Sequence, residues 1–201
     1  QFCTIYNDRC RSSATFFFCA AAITRSELRV TGLSMDDPQG DKAVLSILEE
    51  MGCHVSFDES GRETTILISC DGLLGGEFDL NATPDALPAL AAVACFADGE
   101  TRFVNVPQAR EKETDRIEVM TRELSKLGAK VTELADGIVI HGVPDRRLEP
   151  ARANGASDHR IVMALAIAAL GADGPVEIDT AESVAVTFPD FFELLGSIRV
   201  D

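Results

Sequence analysis

The stretches "EEMGCHV" at Glu49–Val55 and "SKLGAKV" at Ser125–Val131 follow one pattern: the polar end of an amphipathic helix, a large apolar residue, a glycine, then the opening of a strand. A glycine just past the last helical turn accepts the left-handed backbone that ends a helix, so Gly52 and Gly128 are predicted stops. Working outward from each, the same order recurs: short strand, apolar helix, strand, amphipathic helix, two strands. A shorter third copy closes in "ELLGSIRV" at Glu193–Val200. Repetition of one supersecondary unit is the mark of copies stacked on a shared core. The repeat therefore predicts three βαβαββ units, near residues 1–72, 73–143 and 144–201, the last truncated.

The two helix types have different surroundings. Ser12–Ile23, Pro84–Ala97 and Asp158–Leu170 are apolar nearly all round, which suits burial on every side. By contrast, Val44, Ile47, Leu48 and Met51 form one stripe, as do Ile117, Met120, Leu124 and Leu127, and Phe188, Phe191, Phe192 and Leu195. These three helices are expected to keep a wet face. With intervening strands such as Leu28–Thr31, Thr101–Val106 and Pro175–Asp179, the chain reads as α/β (α+β): one pseudo-threefold domain over 1–201, with three buried and three amphipathic helices. "MDDPQGD" at Met35–Asp41, "DGLLGG" at Asp71–Gly76 and "GADGP" at Gly171–Pro175 are turns within it.

Composition agrees with a core-forming chain. Of 201 residues 46% are apolar and 6% aromatic, with no Trp. The 33 acidic against 18 basic residues give a formal charge of −15, which argues against nucleic acid or an anionic membrane as partner. An anionic ligand would need a local cluster of cations. The six cysteines (Cys3, Cys10, Cys19, Cys53, Cys70, Cys95) form no CxxC pair and lie in or beside apolar segments, as buried thiols of a cytoplasmic protein would. Arg9 and Arg11 ahead of Phe16–Ile23 imitate a signal peptide, but the run is too short to span a bilayer and its pattern returns twice. The missing initiator Met hints at a fragment.

Chemistry is expected at helix starts, where free N–H groups and the helix dipole favour anions. Cations crowd two of them. "REKETDR" places Arg110, Lys112 and Arg116 around the opening of the second amphipathic helix, and "SDHR" places Arg160 in the first turn of the third apolar helix. A bare surface gains nothing from this, whereas a phosphate or carboxylate would be held by backbone and side chains together. Each residue also has a plainer reading. Arg116 with Glu113 is a surface pair of about 0.5 kcal/mol, Lys112 with Arg116 a like-charge pair. Asp158, like Ser12 or Ser13, is a helix cap, Asp85 a carboxylate tolerated at a helix start, and His159 a satisfied neighbour. The sharper expectation is that these starts converge on one pocket.

The strings "PDAL" at Pro84–Leu87, "REKETDR" at Arg110–Arg116, "SDHR" at Ser157–Arg160 and "TFPDFFE" at Thr187–Glu193 resemble, in order and spacing, motifs of the 5-enolpyruvylshikimate-3-phosphate synthase family. "RSSATFFFCAAAI" and "PQGD" resemble earlier parts of the same C-terminal domain, so the likeness covers the whole chain. It implies an enolpyruvate transferase-like fold and a two-domain, monomeric enzyme that holds phosphoenolpyruvate and shikimate 3-phosphate between its halves, without metal or cofactor. By similarity Asp85 would handle the proton of the 5-hydroxyl and Glu113 the proton that reaches the methylene carbon. Lys112, Arg116 and Arg160 would bind the phosphate and carboxylate of phosphoenolpyruvate, and Gln108 stands where an Asn often touches the shikimate half.

This chain departs from the pattern at Ser157 (often Asn), at Val186 (often a Lys) and at "NDR", Asn7–Arg9 (usually "EGD"). A "GSKS"-like segment and the other, N-terminal domain are absent from it. Two rival readings are a UDP-N-acetylglucosamine enolpyruvyl transferase and a non-catalytic anion- or protein-binding domain.

Overall fold

A computed structural model describes residues 3–6, 11–33, 41–58, 64–145 and 147–198. The first unit runs β1 (Cys3–Tyr6), α1 (Arg11–Thr24), β2 (Leu28–Leu33), α2 (Asp41–Glu50), β3 (Cys53–Asp58) and β4 (Thr64–Cys70). The second repeats that order as β5 (Glu77–Asp79), α3 (Leu87–Ala94), β6 (Gly99–Val104), α4 (Arg116–Lys126), β7 (Lys130–Leu134) and β8 (Gly137–Gly142). The third supplies β9 (Arg152–Asn154), α5 (His159–Ala169), β10 (Glu177–Asp179) and α6 (Phe191–Ser197).

Sheet topology repeats with the units. The first sheet is ordered β1-β2-β4-β3 and the second β5-β6-β8-β7, each with one parallel pair (β1 with β2, β5 with β6) and an antiparallel hairpin. The third sheet contains only the parallel pair β9-β10 among the described residues.

The helices α1, α3 and α5 pack on one another at the centre. All of Leu87–Ala94 and of Ile161–Ala168 is buried, as is Ala14–Ile23. Each Leu, Ile or Val removed from water there contributes roughly 1.5–3 kcal/mol, which explains why these helices carry no polar face. Gly52 and Gly128 stop α2 and α4 with φ of 101° and 82°. At Gly128 the stop is a Schellman pair: Gly128 N–H donates to Ser125 O at 3.0 Å and Ala129 N–H to Leu124 O at 3.1 Å.

The third unit ends differently from the other two. Gly196 does not stop its helix, because α6 runs through it to Ser197 and ends on Ile198 in the right-handed conformation. Phe192 leaves the apolar stripe and is 43% exposed. A helix this short buries one narrow face, which Phe191 and Leu195 fill after Phe188, one turn before the helix. Their rings close the third unit onto the first: Phe191 meets Phe16 and Phe17 at centroid distances of 6.3 and 5.6 Å, and Phe188 meets Phe17 at 5.9 Å. Cys19, Cys53, Cys70 and Cys95 are buried thiols outside any disulfide. Cys10, the side chains of Cys3, Ser12 and Ser13, and the loop before Asp41 lie outside what is described.

Phe191→Ala is expected to lower stability by about 3–5 kcal/mol, the usual cost of emptying an aromatic site in a core. Phe192→Ala should stay within about 0.5 kcal/mol, as exposed positions do. Urea unfolding of both variants checks the contrast.

Candidate functional site

Three helix starts carry the site, each fixed by local chemistry. A 3-10 turn over Pro84–Ala86 leads into α3, with Pro in the first position, where its missing N–H costs nothing, and Asp85 in the second. Asp115 caps α4, accepting from the N–H groups of Ile117 at 3.1 Å and Glu118 at 3.0 Å, so Arg116 becomes the first helical residue. Asp158 caps α5 through the N–H of Arg160 at 2.8 Å.

These starts meet around the guanidinium of Arg116, whose side chain is 1% exposed. A buried guanidinium is tolerated only with carboxylates on its donors. Its Nε donates to Asp158 Oδ2 at 2.7 Å and its Nη2 to Asp158 Oδ1 at 3.3 Å. The same Nη2 donates to Glu113 Oε2 at 2.6 Å, and Nη1 to Asp85 Oδ1 at 2.8 Å. Two further cations share Asp85. Lys112 Nζ lies 3.2 Å from Oδ1 and Arg160 Nη2 3.6 Å from Oδ2. The expected Lys112–Arg116 repulsion is thus offset by a carboxylate oxygen between them. Asp85, Lys112, Glu113, Arg116 and Arg160 stand together, with Asp85 and Glu113 about half exposed.

Three carboxylates and three cations close this network electrically. Burial alone would raise the Asp85 carboxyl, but the charge of Arg160, the hydrogen bond from Lys112 and the charge of Arg116 outweigh it and hold the group below its ordinary 3.8. His159, 16% exposed, has its Nδ1 3.9 Å from Asp158 Oδ1. Burial pushes its pKa down from 6.5, and Asp158, pulling the other way, does not restore it. The neutral imidazole is therefore favoured at neutral pH.

Other residues fall elsewhere. Arg110 leaves the cluster and clasps the β7–β8 turn, donating to Glu133 Oε1 at 2.8 Å and to the carbonyls of Leu134 and Ala135 while pairing with Asp115 at 2.7 Å. Its task is structural, because four acceptors already surround it. Gln108 belongs to a neighbouring chain of amides: it donates to Asn81 Oδ1 at 2.6 Å, and Asp79 collects Asn81 N–H and Asn105 Nδ2, both at 2.8 Å. The 3-10 turns bearing Asp85 and Gln108 nevertheless touch. Arg116 sits behind the carboxylates as their spacer, whereas Lys112 and Arg160 keep 31% and 13% exposure. Val186, 83% exposed, presents no charge. Asp158 was legible as a cap, but its grip on Arg116 was not, since 42 residues separate them. Among the described residues no group of three or more His, Cys, Asp or Glu is placed to hold a metal ion, and no helix is long and apolar enough to cross a membrane.

A depressed carboxylate pKa makes a stability contribution that is complete above the unfolded value and is lost as pH falls through the folded one. The Asp85 carboxyl should therefore titrate below 3.8 in an NMR experiment, with stability falling in that acid range. Arg160→Ala and Lys112→Ala should each move its midpoint upward; no movement in either would contradict the network.

A family model described as EPSP synthase (3-phosphoshikimate 1-carboxyvinyltransferase) matches residues 3–195. Relatives of the name 3-phosphoshikimate 1-carboxyvinyltransferase from Ruminiclostridium cellulolyticum and Acetivibrio thermocellus are each 54% identical, over 97% and 94% of this chain. The match takes in 44% and 43% of those proteins, so the chain spans about half the length of the curated relatives it matches. A solved structure of EPSP synthase from Acinetobacter baumannii superposes with a TM-score of 0.84 at 30% identity, covering 92% of this chain and 45% of that one. The four motifs and the shared cluster fall inside the matched stretch, and the chain belongs to the EPSP synthase family.

Proposed function

We propose that the chain is the C-terminal domain of a cytoplasmic, monomeric 3-phosphoshikimate 1-carboxyvinyltransferase, working with an N-terminal domain that faces it across a cleft. The observation that carries this reading is the convergence of Asp85, Glu113, Lys112 and Arg160 around Arg116. Two carboxylates and two partly exposed cations at one place suit a reaction that moves protons while it gains and loses anionic groups.

In this reading Lys112 and Arg160 exchange Asp85 for the phosphate and carboxylate of phosphoenolpyruvate. The 5-hydroxyl oxygen of shikimate 3-phosphate then attacks the enolpyruvyl carbon as its proton passes to Asp85. Glu113 takes part in protonating the methylene carbon, giving a tetrahedral intermediate. Loss of phosphate and of a methyl proton restores the double bond. Asp85 enters the reaction ionised, and once Lys112 and Arg160 have turned to the substrate it keeps only Arg116 and becomes the better proton acceptor. Gln108 lies on the turn packed against that of Asp85, which supports giving it the shikimate half in this reading.

The other half has a structural task as well. In the second unit β8 runs along α3 and ends with Val143 N–H on Cys95 O at 3.2 Å, beside the last turn of that helix. At the corresponding end of α5 there is instead a groove of about 1110 Å³, lined by Ala20, Thr24, Leu170, Val176 and Leu195. We read it as the seat of a hairpin like β7–β8, which the third unit does not show among its described residues.

Alone, the chain should release no phosphate from phosphoenolpyruvate and shikimate 3-phosphate. Supplying the N-terminal half of a relative should restore turnover, and Asp85→Asn or Glu113→Gln should then lower kcat by about 10²- to 10⁴-fold, the usual worth of a general acid or base. Turnover by the isolated chain, or full activity of both variants, would overturn the reading.

A further inference from the structure

Asp158 is fully buried, yet the reaction above gives it nothing to do. Capping does not explain its charge, because Asn and Ser cap a helix as well as Asp does. A neutral cap would avoid the desolvation that a carboxylate at 0% exposure suffers. The explanation lies on its other side. Asp158 grips Arg116 edge-on, Oδ2 on Nε at 2.7 Å and Oδ1 on Nη2 at 3.3 Å, while Oδ1 also holds the first turn of α5 through Arg160 N–H at 2.8 Å. A guanidinium is planar, and two contacts along one edge fix both the direction and the roll of its remaining donors. Those donors are Nη1 on Asp85 and Nη2 on Glu113.

We propose that Asp158 is a positioning residue: it anchors Arg116 to the start of α5, and through the rigid guanidinium sets the placement of Asp85 and Glu113 relative to each other. The geometry is independent of what the two carboxylates do; that they are the reacting groups rests on the function proposed above. One consequence is that the third unit acts on the second without touching either carboxylate with its own acid. Another is that Arg116→Lys should not substitute, since an ammonium cannot bridge three carboxylates in a plane.

The test uses the 201-residue chain and needs no turnover. In Asp158→Asn the cap is kept but the amide presents a donor to Arg116 Nε. The charges facing Asp85 are Lys112, Arg116 and Arg160. If Asp158 merely contributes a negative field, its removal lowers the Asp85 midpoint. If it positions Arg116, the guanidinium comes loose and the midpoint rises, by about one pH unit for the loss of an adjacent arginine. The signs are opposite, so a carboxyl NMR titration decides: a rise supports the proposal, and a fall or no change overturns it. Asp158→Ser, capping and uncharged, should shift it the same way. Should neither variant fold, exchange of the Arg116 Nε proton in the unaltered chain replaces them. Protection far above that of Arg152, 70% exposed, is expected, and exchange at the Arg152 rate overturns the proposal. Turnover of the reconstituted enzyme tests the reaction separately.

Discussion

A helix surrounded by other helices and sheets has no wet face on which to carry polar chemistry. In this chain α1, α3 and α5 bury their flanks in one another, so the groups that can meet water or a ligand are at their ends. The placement of the site follows from that constraint. Asp85 and Arg160 stand at the starts of α3 and α5, and α4, packed against both, brings Arg116 between them. The amphipathic helices and the hairpins cover the flanks of the buried helices and leave this end open.

Concentrating charge at that end raises its own difficulty, since a buried cation is unstable without partners. The chain answers with acids of matching number. Asp85, Glu113 and Asp158 are distributed over two units and gathered by one guanidinium. The arrangement also divides labour between donors: the edge of Arg116 that faces inward is committed to Asp158, whereas the outward donors meet half-exposed carboxylates that other ligands can reach. A similar device recurs at Glu123, whose buried carboxylate accepts from Arg122, from Lys126 and from the N–H of Asn154, tying α4 to β9. Burial alone would raise that carboxyl, but the Lys126 and Asn154 hydrogen bonds bring it below the ordinary value. Buried acids thus join the second unit to the third at two places.

Periodicity is local information, and it carried the fold a long way. The stops at Gly52 and Gly128, the all-apolar runs at Ser12–Ile23 and Asp158–Leu170, and the stripes of α2 and α4 each follow from spacing along a few turns of chain. It failed where a segment was too short for spacing to choose a face, as at Phe192. The residues that cluster around Arg116 were also legible as candidates, through motifs and through cations placed where a helix dipole disfavours them. The partners of Arg110 were not, because a hairpin turn more than 20 residues away had first to come within reach.

By itself, then, the order of residues determined which segments are helix or strand, that they come in repeated units, and which charges are anomalous. Those properties depend on neighbours three or four positions apart. Only the tertiary structure decided which anomalous charges meet. Asp158 reaches Arg116 across 42 residues, and Asp85 reaches it across 31. The packing of α3, α4 and α5 closes those distances, and packing depends on the shape of the whole buried surface.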